Sequence, residues 1–422
     1  MILLYDVLSG IMISICIVWI YFLLHTVMSL RRSPCLRQFA TEGGSNIRRV
    51  NTAKYDLPMV SIIIPARNEE NYVDECLNSL LKQTYQNFEI VVVDDGSSDR
   101  TAEIFQYYGK KDARIKIVSI DEKRNKPDGW TGKTWACYQG YIHSTGNILL
   151  FTDADTTHSY CTLSLSLQFY LSNELNALTL IPRLRAEDFW TRLTLPILWT
   201  LSYARYSPLK ANNPNTRVGG YFFGSFIMIG RDAYEIIGTH ERVREEIVED
   251  VELGRIVKDR GLRSRVVHGE HHITAIWARN LGTLWDGLRR LMIPMYLKEK
   301  AKAVMITFAT SLMLLMPLIV SLFLILWYSV DPLSTTFNNE KEFPWHLVLI
   351  TSSIVSIVML ILTSIIQSKA VIFQSLLYTL GFPVAGSILS AAFISAIFDS
   401  RKKNAIRWHE RNYTYSPRKH VS

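Results

Sequence analysis

Phe88-Glu89-Ile90-Val91-Val92-Val93-Asp94-Asp95-Gly96-Ser97-Ser98-Asp99 is the stretch from which the rest of the chain can be read. A run of β-branched residues passes straight into paired carboxylates and a glycine, the pattern of a buried strand ending in an acidic loop. The transition recurs at Leu149-Leu150-Phe151-Thr152-Asp153-Ala154-Asp155, and a third acidic group stands at Ile247-Val248-Glu249-Asp250-Val251-Glu252-Leu253. In open α/β sheets, ligands lie outside the carboxyl ends of the strands. Several carboxylates gathered there repel one another unless a cation joins them. A hard divalent ion carrying a diphosphate fits, because such an ion takes one or two carboxylates plus phosphate oxygens. The third group then supplies a carboxylate free to act as a base.

Outward from these loops, strand and helix patterns alternate. Met59 to Pro65 reads as a strand ending at Ala66-Arg67-Asn68-Glu69-Glu70, and Val73, Leu77, Leu80 and Leu81 recur at helical spacing after it. A helix beginning near Thr101 takes its cap from Ser98 or Asp99, and further strands read at Ile115–Ile120 and Ile148–Thr152. This order predicts an α/β domain with a mainly parallel sheet and helices on both faces.

The chain has 422 residues, and its 48% of hydrophobic residues are concentrated in blocks. Val7 to Leu30 runs about 24 residues without a charge, long enough to cross a bilayer. It lacks a basic n-region and a small-residue cleavage site, so a retained anchor is expected rather than a signal peptide. Val304–Val330 and Leu347–Ile366 are two further candidates. A fourth block, Ala370–Phe398, carries Gly381-Phe382-Pro383 near its middle and reads either as a re-entrant hairpin or as one kinked helix. Arg31, Arg32, Arg37, Arg48 and Arg49 follow the first block, which predicts a cytoplasmic catalytic domain in an integral membrane protein. The acidic loop Asp331–Pro344 suits the opposite side, and the basic tail Arg401–His420 suits the cytoplasm. The net charge of +8 tracks the ends of apolar blocks, which fits lipid headgroups and excludes nucleic acid as the expected partner. Cys16, Cys35, Cys76, Cys137 and Cys161 are scattered without a CxxC pair and read as free thiols.

Taken in order, Pro-Ala-Arg-Asn-Glu-Glu at Pro65, Asp-Asp-Gly-Ser-Ser-Asp at Asp94, Asp153-Ala-Asp155 and Glu249-Asp250 resemble the membrane-bound family 2 glycosyltransferases. Pro127-Asp-Gly-Trp-Thr-Gly-Lys-Thr-Trp-Ala136 is similar to the subgroup that acts on carotenoid-type or hopanoid-type lipids. The likeness covers about Pro58 to Leu262. It implies a GT-A (Rossmann-like) nucleotide-sugar-binding domain with an N-terminal transmembrane anchor and C-terminal transmembrane helices. The expected divisions are a transmembrane helix at 1–30, a basic linker at 31–55, the catalytic domain at 56–276, interfacial helices at 277–302, a transmembrane region at 303–399 and a basic tail at 400–422.

The resemblance also assigns roles. Asp94 or Asp95 recognises the nucleotide base, with Pro65, Ala66 and Glu69 lining that pocket; a helix-capping turn is the plainer account. Asp155 coordinates Mg²⁺ or Mn²⁺, and Asp153 reaches the ribose or the metal shell. Lys133 neutralises or orients the donor phosphates, with a solvated surface lysine as the alternative. Asp250 is the general base and Glu249 the less favoured one, against the reading of a solvated acidic face. Gly219-Gly220-Tyr221-Phe222-Phe223-Gly224-Ser225-Phe226 resembles an acceptor-site floor, and a buried strand explains its aromatics equally well. His268, His271 and His272 lack a ligand spacing and are not expected to bind metal. Gly132-Lys133-Thr134 fails as a P-loop, since the first glycine is missing and no strand leads in.

The implied activity is inverting, metal-dependent transfer of a sugar from a nucleotide-sugar, a UDP-sugar first, to a membrane lipid. Transfer to a polyprenyl phosphate, processive polysaccharide synthesis and a non-catalytic scaffold are the rivals. Trp285-Asp-Gly-Leu-Arg289-Arg290 stands where processive synthases carry Gln-x-x-Arg-Trp, which disfavours polymer synthesis. Arg407-Trp408-His409-Glu410-Arg411-Asn412-Tyr413 resembles a Trp-x-x-Arg-x-Tyr pattern of the same subgroup and is expected to close over the donor or to anchor at the membrane.

Overall fold

The computed structural model describes residues 2–42, 58–120, 126–217, 219–330, 345–399, 406–408 and 411–413. They fall into two units, one from residues 32–185, 206–277 and 403–422, the other from residues 1–31, 186–205 and 278–402. The expectations for Arg48 and Arg49, for Asp331–Pro344 and for most of the basic tail lie outside the described residues.

The strands of the first unit are β1 (Val60–Ala66), β2 (Phe88–Asp94), β3 (Ile115–Ser119), β4 (Ile148–Phe151), β5 (Thr156–His158), β6 (Ala177–Ile181), β7 (Arg183–Ala186), β8 (Ile227–Gly230), β9 (Ser264–His268) and β10 (Ile273–Ala278). Seven of them make one sheet in the order β3-β2-β1-β4-β8-β6-β9, and β5-β10-β7 make a smaller one. β1 runs parallel to β2, with Ala66 opposite Asp94, and parallel to β4, with Ile63 opposite Phe151. The first two acidic loops therefore leave the same edge.

Residues alternate between the faces of these strands, and the sheet is buried on both. Ile62, Ile64, Val92 and Leu150 join one core with Val73, Leu77 and Phe105. Ile63, Val91, Val93, Leu149 and Phe151 join the other with Ala136, Cys137, Leu253 and Val257. Consequently the Gly132–Ile142 and Glu249–Asp259 helices share one face of the sheet.

The sheet departs from the all-parallel pattern at β8, which is antiparallel to both β4 and β6. Ile227 opens β8 opposite Phe151, so the segment that enters β8 arrives at the carboxyl edge of β4. That segment, Gly219 to Phe226, is not a strand. It is a loop with a bridge between Phe223 and Phe226, and its Tyr221 and Phe222 are buried.

Among the described residues, four helices are long and apolar enough to cross a membrane: Tyr5–Arg32, Lys300–Trp327, Trp345–Ile372 and Phe382–Asp399. The Trp345–Gln367 helix buries Ser352, Ser353, Ser356, Thr363, Ser364 and Gln367 while exposing Ile354, Val358 and Leu362. Small polar residues inward and aliphatic residues outward is the arrangement expected of a helix packed in lipid. The fourth apolar block breaks at Gly381, as its glycine and proline imply, and once more before it. A π-helical turn at Ser368–Ile372 ends at Phe373, whose φ of 56° is left-handed. The short Leu377–Leu380 helix follows, and Phe382-Pro383 then opens the last helix. Proline fits a first helical turn because its missing N–H has no partner to lose there. Leu281–Lys298 begins with a capping box between Asn280 and Thr283, and its Arg289 pairs with Asp399 at 2.6 Å. Ile406–Trp408 and Arg411–Tyr413 pair antiparallel, and residues 409–410 between them are not described.

Candidate active site

The loops after β1 and β2 are tied to each other by a ladder of short bonds. Asp95 N donates to Ala66 O at 2.9 Å, and the Arg67 guanidinium to Asp95 O at 2.6 Å. Asn68 N donates to Ser97 Oγ at 3.1 Å, while Ser98 N donates to Asn68 Oδ1 at 2.9 Å. Glu69 N donates to Thr101 Oγ1 at 2.8 Å. Asn68 at φ 55° and Gly96 at φ 67° both adopt the left-handed conformation these tight turns require. Within the ladder, Asp94 Oδ1 accepts from Ser97 N at 3.0 Å, and Asp94 and Asp95 are buried. Asp99, not Ser98, takes the first N–H of the next helix, from Thr101 at 3.0 Å.

A second group assembles from four distant parts of the sequence. Thr131 caps the Gly132–Ile142 helix by accepting from Thr134 N, which puts Lys133 in its first turn. Lys133 Nζ lies 2.7 Å from Asp153 Oδ1, just past β4, and 2.9 Å from Glu249 Oε1. Asp250, next along the chain, accepts from Gly224 N at 2.9 Å through Oδ2 and from Val251 N at 2.8 Å through Oδ1. Gly224 is the meeting point. A Cβ there would stand 2.9 Å from Lys133 Nζ, 3.1 Å from Asp153 Oδ2 and 3.4 Å from Asp250 Oδ2. The approach of the 219–226 loop depends on Gly220 and Gly254, since a Cβ on Gly254 would come within 2.3 Å of the Tyr221 backbone. Behind the loop, Thr152 Oγ1 donates to Ser225 O at 2.8 Å, and His158 Nε2 lies 3.1 Å from the same hydroxyl.

Pro65, Lys133, Cys137, Asp153, Gly224, His240 and Glu249 line one small cavity. Of the residues expected at the site, this brings together Pro65, Lys133 and Asp153, with Asp250 joined through Gly224. Ala66, Glu69, Asp94 and Asp95 belong to the neighbouring ladder. Asp155 is half-buried on the turn before β5. Its neighbourhood is marked by Cys76: burial pushes that thiol up, and Asp155, Asp153 and Glu69 add to the rise. No group of three or more metal-binding side chains occurs among the described residues. Mg²⁺ and ions like it need no group of that size when phosphate oxygens complete the shell. His268 pairs with Glu270, His271 approaches Arg37, and His272 meets Ser159.

Electrostatics separate the members of the cluster. Burial opposes the Lys133 charge, but Asp153, Glu249 and Asp250 outweigh it and hold the ammonium well above the usual lysine range. For Asp250, burial raises the carboxyl and Glu249 and Asp153 push the same way. Lys133 and the Val251 N–H pull it down, and the balance is about 6. A carboxylate with that affinity for a proton suits base chemistry near neutrality. Glu249, held by Lys133, is occupied. Burial, then Lys133, drive the His240 imidazole down to about 3, so it is neutral.

In the sequence Gly224 is only one member of a glycine-aromatic run, and Glu249 is the less favoured base. Glycine flanked by aromatics was the available signal for the first. For the pairing of Glu249 with Lys133, which lie on separate helices, the sequence carries none.

Residues 61–237 match the family model described as Glycosyl transferase family 2. That match spans most of the α/β domain, whose mixed sheet makes it similar to the family 2 glycosyltransferase domains. Among curated relatives, 4,4'-diaponeurosporenoate glycosyltransferase of Staphylococcus aureus is 28% identical over 225 residues, 52% of this chain. The alignment spans 57% of that relative's own length. Among solved structures, a mannosyltransferase from Pyrobaculum calidifontis in complex with GDP-Man and Mn²⁺ is 16% identical, covering 93% of this chain and 99% of the other at a TM-score of 0.49. S. aureus TarS in complex with UDP-GlcNAc is 18% identical, covering 81% and 90% at a TM-score of 0.37.

Proposed function

We propose that this chain is a membrane-integral, inverting glycosyltransferase that moves a sugar from a nucleotide-sugar, a UDP-sugar first, to a hydroxyl of a membrane lipid. The observation that carries the reading is the convergence of Lys133, Asp153, Glu249 and Asp250 on Gly224 at the carboxyl edge of the sheet. The relative named for a diaponeurosporenoate acceptor supports a lipid acceptor. Four membrane-length apolar helices among the described residues support access to a lipid, and the basic residues after the first support a cytoplasmic domain.

In this scheme the buried Asp94–Asp95 ladder holds the nucleoside end of the donor, beside Pro65, Ala66 and Glu69. Asp155, with Asp153, would hold Mg²⁺ or Mn²⁺, which when bound supplies Lewis-acid stabilisation to the departing diphosphate. Lys133 balances the acidic group and faces the phosphates. Asp250 takes the proton of the acceptor hydroxyl as its oxygen attacks the anomeric carbon, and the C–O bond to the diphosphate breaks. One displacement inverts the centre. Asp250 rather than Glu249 serves because its carboxylate is held by backbone N–H groups alone, whereas Glu249 is ion-paired.

The test uses purified full-length protein in nanodiscs with UDP- and GDP-sugars, Mg²⁺ or Mn²⁺, and extracted membrane lipid. Nucleotide release that depends on lipid and is lost with EDTA, Asp155→Ala and Asp250→Asn is the expected result. Transfer that survives Asp250→Asn would instead indicate an acceptor arriving as an anion, such as a polyprenyl phosphate. No turnover and no metal-dependent nucleotide binding would refute the enzyme reading.

A further inference from the structure

The failed P-loop resemblance at Thr131-Gly132-Lys133-Thr134 has a structural use. We propose that Thr131 and Thr134 form a clamp that fixes the segment carrying Glu249 and Asp250 against the helix turn carrying Lys133, with Thr134 the positioning residue. The proposal rests on the glycosyltransferase reading for its effect on rate, though not for its geometry.

A helix cap needs one bond, and Thr131 Oγ1 provides it by accepting from Thr134 N at 3.2 Å. The Thr134 hydroxyl is surplus to that cap. It lies 2.8 Å from Thr131 Oγ1 and donates at 2.8 Å to Arg244 O, 110 residues away in sequence. Thr131 N donates to the same carbonyl at 2.8 Å. Thr131 O is a second acceptor within reach of the Thr134 hydroxyl, at 3.2 Å; the shorter contact, to Arg244 O, leaves the Thr131 O–H to donate to Thr134 Oγ1. Thr134 is fully buried and Thr131 nearly so, at 0% and 5% exposure, so water cannot replace a lost donor.

Arg244 precedes Glu249 by a short connection, and buried His240, Val243 and Ile247 pin the chain on either side of it. One turn of helix therefore carries both the cation of the acidic group and the anchor of the segment that delivers its carboxylates. A displacement of about 1 Å at such a site is enough to cost rate heavily. Neither threonine lines the cavity or touches the carboxylates, so their influence is through placement.

The experiment compares Thr134→Val, which keeps shape and removes the hydroxyl, with Thr134→Ser, which returns it. Thr162→Val is the control: Thr162 is buried and donates to His272 O at 2.9 Å, among residues given no part in the site. Two quantities are read in full-length protein in nanodiscs: kcat and donor KM with the best nucleotide-sugar, and hydrogen exchange of residues 244–253 without donor. Thr134→Val should lower kcat about tenfold, the equivalent of one buried hydrogen bond, with donor KM within about twofold. It should also speed exchange across 244–253, serine should restore both, and Thr162→Val should change neither. Unchanged exchange in Thr134→Val overturns the clamp, as does a lost rate that serine does not restore. If the wild-type protein turns over no donor, the functional reading fails separately, and the exchange comparison still judges the clamp.

Discussion

Two acidic regions that look alike in sequence are built on opposite terms. In the Asp94–Asp99 turn, carboxylates such as Asp94 and Asp99 are consumed by backbone N–H groups of the loops themselves. In the Asp153–Glu249–Asp250 group, carboxylates from different elements crowd together and share the ammonium of Lys133. The first region is a rigid cradle whose charges are already spent on shape. In the second, burial first and then the neighbouring Glu249 lift the Asp250 carboxyl. The contrast shows that an acidic pair after a strand announces a site but not its chemistry. Partners decide that.

The largest expected effect comes from the second region. Asp250→Asn should lower the rate of transfer to a hydroxyl acceptor about 10²–10⁴-fold, with little change in donor binding. A comparable loss from Asp94→Asn would erase the distinction drawn above. Measured kcat and donor KM for the two variants decide it.

The pH profile sharpens the same point. Asp250 must be deprotonated to act, so transfer should fall as the pH drops through about 6. Glu249→Gln removes a charge that raises the Asp250 carboxyl and should move the midpoint down. Lys133→Met removes one that lowers it and should move the midpoint up. Midpoints of kcat/KM against pH that fail to move in opposite directions would contradict the coupling.

Gly224→Ala is a smaller intrusion. The added methyl meets the far end of Lys133 and two carboxylates rather than backbone. A loss of about tenfold in kcat, with thermal melting close to wild type, is expected, as for an overpacked but yielding site.

The smallest effect concerns a carboxylate with no place in either region. Glu89, buried in β2, starts from a burial penalty that bonds from Lys116, Ser61 and Thr145 more than reverse, to about 2. Its folded-state affinity for a proton lies below the unfolded one, so its stabilisation is present above the ordinary glutamate range and fades as the pH falls towards 2. Glu89→Gln should lower the melting temperature by a few degrees at pH 7, by less at pH 4, and leave kcat unchanged. Differential scanning at the two pH values measures this.

Continuous β-branched runs, helical spacing, acidic strand ends and long uncharged blocks make the sheet, its flanking helices and the apolar spans legible in the sequence, because each is a local property of the chain. The motif order likewise placed the carboxylates at one edge. Three features were out of reach. β8 runs antiparallel because Gly219–Phe226 enters from the carboxyl edge, a matter of long-range connection. The last apolar block divides at Gly381, where the sequence marks it, but also at Phe373, which no glycine or proline announces.

The third is the identity of the partners. The sequence by itself determined which residues carry charge, which strands are buried and where acidic loops follow them, since these depend on composition and spacing. Only the tertiary structure decided that Lys133 joins Asp153 to Glu249, that Asp250 hangs from Gly224, and that Thr134 reaches Arg244. Those contacts bridge more than 110 residues at their longest, and no periodicity along a chain encodes which distant groups its folding will bring within 3 Å.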